Sequence, residues 1–206
     1  MQTLDPVQAG VDFDDAVLGL GLPAAAEKAL GEAALLRSEP AMAMAALMRA
    51  KAIAPEHPAV LIAFYRHHFY GHRLALARDV ARKALVIGAR ALGLPPIWRE
   101  VPEQALAGAC DDVSTRFYLW VLKGYAYLSM RLDDPVEARD ALAKLRALDP
   151  DDCVGAALLE AVRQRRERHL GKQAAGMLDD GEDDGPALPV FGAAAWARVA
   201  DSAGAT

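Results

Sequence analysis

Cysteine is nearly missing from this chain: Cys110 and Cys153 are the only two in 206 residues. They are too few and too far apart in sequence for a disulfide framework or a zinc knuckle. Positive charge is not in excess either. A net charge of −5 and a pI near 5.5 argue against a general phosphate-backbone binder, so nucleic acid is not an expected partner. Long apolar runs are lacking, because Arg, Lys or Glu interrupts each stretch well before about 18 residues, and no membrane span is expected. The opening Met-Gln-Thr-Leu-Asp-Pro carries neither the basic nor the apolar region of a signal peptide, which makes a reduced cytoplasm the default compartment. Catalytic signatures are absent as well: there is no Gly-x-Ser-x-Gly, no phosphate loop and no dinucleotide fingerprint. Neither cysteine has a histidine beside it, Ser38 and Ser114 read as helix caps, and Asp111, Asp112, Asp133 and Asp134 fall at turns where capping explains them. These absences predict a non-catalytic protein with no cofactor.

What is present is ordinary for a globular chain, with 53% hydrophobic and 25% charged residues. One domain is expected, with three zones along it. Residues 1–22 mix Asp12, Asp14 and Asp15 with Gly10, Gly19 and Gly21; each glycine costs a helix about 1 kcal/mol relative to alanine, so this arm should be weakly ordered. Residues 23–169 are dense in Ala, Leu, Arg and Glu with no useful strand alternation, and read as all helix. Residues 170–206 carry scattered glycines and the acidic run Asp179, Asp180, Glu182, Asp183, Asp184, the composition of a flexible tail. It is expected to act as a solubilising or docking arm.

Stops inside the helical zone are legible. Helices are expected from Ser38 and Pro40 to Ala54, from Pro58 to about Tyr70 with Gly71 at the turn, and from Leu74 to Leu92. After an irregular link, Asp112 or Ser114 should cap a helix ending near Arg131. Asp134-Pro135-Val136-Glu137 opens the next, which runs to Asp149-Pro150, and Asp151 or Asp152 caps a last one reaching about His169.

Self-similarity runs through this zone. Leu30-Gly31 followed by Ala43, Leu47, Ala50, Ile53 and Pro55 resembles the tetratricopeptide repeat, in which small residues let two helices approach closely and a proline ends the second. Trp120, Gly124 and Tyr127 with Ala138, Leu142 and Pro150 resemble a second copy, two residues longer in its turn and with Leu145 where the family has alanine. A middle copy keeps Ala77 and Ala84 but has Tyr65 in place of a small residue. The resemblance covers roughly residues 24–160. It implies an all-α array of antiparallel helical hairpins, about three repeats with a capping helix, that binds a protein or peptide on its concave face.

Groove positions carried over from that family are Lys28, Glu32, Ile62, Arg66, Phe69, Val121, Tyr125 and Leu128. Ile62, Arg66, Phe69, Val121, Tyr125 and Leu128 are therefore the expected partner-binding residues, with Arg66 orienting an apolar segment over the others. Only Lys28 and Arg66 match the cationic positions of the family's terminal-carboxylate clamp, and Glu32 opposes them, so such a clamp is not expected. Phe64, Trp120 and Tyr127 read as packing between repeats. The strings YRHHFYGHRLALA, LPPIWREV, LWVLKGYAYLSMRL and LRALDPDDCVG resemble small repeat proteins encoded among bacterial nitrogen-fixation genes, which implies support of nitrogenase assembly. The alternative reading is a metal- or cofactor-handling factor using His67, His68 and His72; His68 and His72 would share a face only if the helix ran through Gly71.

Overall fold

The computed structural model describes residues 21–174, with side chains through 171. Its elements are seven helices and one 3-10 turn: α1 (Ala24–Leu35), α2 (Pro40–Ile53), α3 (Pro58–Tyr70), α4 (Leu74–Ala91), η1 (Trp98–Glu100), α5 (Val113–Arg131), α6 (Pro135–Leu148) and α7 (Ala156–Ala174). No strand occurs among the described residues, so the chain is an all-α helical array. The expected arm lies almost wholly outside the described residues. So does most of the expected tail, although α7 runs past His169 to Ala174.

Local chemistry sets the boundaries. Prolines at the first position start α2, α3 and α6, where a missing N–H costs nothing. Asp112 caps α5 by accepting from Thr115 N at 2.6 Å, and Asp134 caps α6 by accepting from Glu137 N at 3.3 Å. Ser114 lies inside α5 rather than at its cap, and Glu39, not Ser38, occupies the position before α2 without a side-chain cap. Asp152 caps α7, accepting from Ala157 N at 3.1 Å and also from Ala156 N.

Each helix packs on the next along the chain, and a long irregular link separates α4 from α5. Two cores result. The first is built mostly from alanine: Ala26, Ala29 and Ala33 of α1 meet Ala46, Leu47 and Ala50 of α2, with Val60 and Phe64 of α3. The second and larger one centres on α5, which is buried on almost every face from Ser114 to Met130. Close approach there depends on small residues: a Cβ on Gly88 of α4 would stand 3.3 Å from the Tyr118 ring, and one on Gly124 of α5 would stand 3.2 Å from the Tyr65 hydroxyl.

The link between α4 and α5 is part of the second core. Trp98, Val101 and Leu106 are buried in it. Lys144 of α6 donates to the Val101 carbonyl at 2.9 Å, Arg99 pairs with Glu137, and Cys110 forms a disulfide with Cys153 in the turn after α6. The two cysteines, too few and too far apart in sequence to suggest a disulfide framework, are thus brought together by the fold into a single bridge.

Candidate functional site

A cleft with a volume of about 450 Å³ lies between α1, the start of α2 and the end of α3. Its walls are apolar: Leu30, Ala33 and Ala34 from α1, Ala43 and Leu47 from α2, and Ala63 from α3. Alanine lines it because the first core is alanine-built, and short side chains leave space between helices that leucines would fill. Its rim is cationic. Arg37 comes from the α1–α2 turn, Arg66 from α3 and Arg73 from the α3–α4 turn, with His67 and Tyr70 beside them. No Asp or Glu lines the cleft, and among the described residues these three arginines enter no ion pair.

The rim also fixes a protonation state. An Arg73 N–H points at His67 Nε2, and a guanidinium can only donate, so that nitrogen accepts and the imidazole is neutral. Burial first, and then the Arg73 charge, hold the His67 pKa below its ordinary value. His68 is pushed the same way by burial, then by Arg73, His67 and Lys51; it lies only 8% exposed and its Nδ1 has no hydrogen-bond partner.

Of the six expected partner-binding residues, Arg66 reaches this cleft. Ile62 is half-buried against the second core. Phe69, Val121, Tyr125 and Leu128 are committed to that core, and none is more than 8% exposed. Phe69 stacks on Tyr65 at 5.8 Å, while the Tyr125 ring sits 6.2 Å from Trp98 and its hydroxyl donates to Glu137. The α4–α5 link brings Trp98 against Tyr125, one of the α5 positions that the repeat pattern assigns to a groove. Lys28 is exposed outside the cleft, and Glu32 pairs with Arg49. Arg37 and Arg73 escaped sequence reasoning because they stand in two different turns, outside the helical register that marks groove positions.

The histidines do not assemble a metal site. Gly71 ends α3, His72 lies beyond it with a φ of +56° and is exposed, and His67 is engaged by Arg73. Among the described residues the group that could hold a metal ion is Cys110, Asp149 and Cys153, whose ligand atoms lie within 4.8 Å of one another. No described helix is long and apolar enough to cross a membrane.

Over 151 residues the chain is 38% identical to the "Uncharacterized 19.8 kDa protein in nifW 5'region" of Azotobacter chroococcum mcd 1, covering 72% of this chain and 84% of that protein. No family model and no solved structure matches the chain.

Proposed function

This chain belongs to the family of the nifW-region 19.8 kDa protein of Azotobacter chroococcum, and from that premise we propose that it is a non-catalytic protein-binding adaptor serving nitrogen fixation. The observation that carries the reading is the apolar cleft rimmed by Arg37, Arg66 and Arg73, three permanent cations with no carboxylate of their own. Such a rim selects a partner segment that presents one or two apolar side chains next to Asp, Glu or a chain-terminal carboxylate. The apolar groups displace water from Leu30, Ala33, Leu47 and Ala63, and the arginines take the carboxylates in bidentate pairs. Arrays of helical hairpins of the tetratricopeptide kind offer such surfaces between repeats, and the repeat spacing of Leu30-Gly31 through Pro55 falls on the two helices that wall this cleft.

A photo-crosslinking residue at Ala34, an exposed position in the wall, tests the proposal in nitrogen-fixing cells. A discrete cross-linked protein is expected, and Arg37→Glu plus Arg66→Glu should remove it while helicity stays unchanged. With that partner purified, charge reversal should weaken binding by tenfold or more, and added salt should weaken the wild-type complex. If the reversed variant cross-links to the same protein and binds it equally well, the cleft is not the binding surface.

A further inference from the structure

The turn after α6 and the link before α5 meet at a group that the adaptor reading does not use. Asp149 ends α6 and is only 3% exposed. Its carboxylate accepts from Cys153 N at 2.9 Å and Val154 N at 3.0 Å, and stands 3.8 Å from the Cys110 sulfur. It forms no salt bridge among the described residues, and the two amides fix the direction of its carboxyl group. The nearby ammonium of Lys123 is directed to the Val154 carbonyl. Cys110 is half-exposed and Cys153 is exposed.

We propose that the dithiol form of this chain binds one thiophilic divalent cation of the zinc class through Cys110 Sγ, Cys153 Sγ and an Asp149 carboxylate oxygen. The disulfide is then the form in which the site is closed.

Two thiolates and one carboxylate are ligands that suit zinc, and solvent would complete a tetrahedral set. Tetrahedral zinc with bonds of about 2.3 Å to sulfur and 2.0–2.2 Å to oxygen needs ligand atoms roughly 3.5–3.8 Å apart. With the two Cα atoms 6.3 Å apart, side-chain rotation alone separates the sulfurs that far. The amides on Asp149 already orient its carboxylate, as outer-shell donors do at metal sites. Two thiolates and a carboxylate carry three negative charges, which a divalent ion relieves.

The balance is simple. A dithiol reductant gives two electrons and two protons to the Cys110–Cys153 bond and is itself oxidised to a disulfide. Binding then forms two sulfur–metal bonds and releases the two thiol protons to water. Metal and disulfide exclude each other because they use the same sulfurs.

The test uses the full, tag-free chain, reduced with a phosphine and titrated with zinc against a chromogenic chelator. One equivalent is expected to bind to the reduced chain and none to the oxidised chain, with magnesium unable to compete. Cys153→Ser, at an exposed position, and Asp149→Asn should each weaken zinc binding at least tenfold. Cobalt in place of zinc should show a sulfur-to-metal charge-transfer band that the serine variant loses. Circular dichroism shows whether each variant stays folded, and the Cys110→Ser variant repeats the sulfur test from the opposite side of the pair. A reduced, folded chain that binds no zinc overturns the proposal. So does zinc that binds equally to both serine variants, because the ion would then sit on other residues such as the histidines.

Discussion

Opening the Cys110–Cys153 bond should cost measurable stability, and the size follows from where the bond sits. It closes a loop across 43 positions that contains α5 and α6. Cross-linking at that separation removes roughly 2.1 + 1.5R ln 43 cal/mol/K from the unfolded chain, about 4 kcal/mol at 25 °C. Little native structure should be lost with the bond, because Lys144 still holds the Val101 carbonyl and Trp98 and Leu106 remain buried. Residual contacts in the unfolded chain reduce the gain, so the expected loss is about 2–4 kcal/mol. Urea slopes for domains of this size are about 1–3 kcal/mol/M, and the midpoint should fall by roughly 1–2 M. The assay is urea unfolding followed by circular dichroism, with and without reductant and with a chelator throughout. The Cys110→Ser, Cys153→Ser double variant should sit at the reduced midpoint and ignore the reductant. If reductant moves the wild-type midpoint by less than about 0.3 M, the bond does not constrain the unfolded chain and the reasoning fails.

Tyr118 is fully buried, its hydroxyl has no hydrogen-bond partner, and burial pushes its pKa up to about 12. Tyr118→Phe should therefore be neutral or stabilise by up to about 1 kcal/mol in the same urea assay, and a loss above that would reveal a hidden partner. Asp112→Ala removes the α5 cap and should cost about 1 kcal/mol, checked as the shift in midpoint; Asp112→Ser should recover most of it. His67 and His68 both have folded pKa values lowered by burial and by Arg73, so the unfolded chain takes up protons near the ordinary 6.5 before the folded chain does. Their contribution to stability is complete above about pH 6.5 and is lost as pH falls through the lower folded values. His67→Gln with His68→Gln should flatten the fall between pH 7.5 and 5, and an unchanged slope would count against neutral histidines.

Helices α2 to α6 were legible within a residue or two because proline, Asp and Gly act locally: Pro40, Pro58 and Pro135 start helices wherever the chain goes afterwards. The small residues of the repeat pattern were equally informative, since Ala43, Ala50 and Ala138 are buried as close packing requires. The binding face was not legible. Assigning Tyr125 and Leu128 to an open groove assumed regular stacking with nothing over α5, and no local signal in LPPIWREV says that Trp98 turns inward to cover it. The cysteine pair was hidden for the same reason, because only the path of that link carries Cys110 back to the α6–α7 turn. Distance along a chain is a poor guide where an irregular segment doubles back.

The alanine composition of the first core has a further consequence for how this protein behaves in time. Apart from Leu47, Val60 and Phe64, its buried contacts are between methyl groups, whereas the second core buries Tyr118, Tyr127, Phe117 and a series of leucines. Each of those large side chains adds about 1.5–3 kcal/mol on burial, so local stability is uneven along the array. Helices α1 and α2 are therefore expected to open and reclose while α5 stays closed, and hydrogen exchange should find their amides the fastest among the buried ones. The same two helices supply most of the cleft wall. Whatever fills the cleft must therefore hold this hairpin shut, and occupancy would be written in the exchange rates of α1 before any change of shape could be seen.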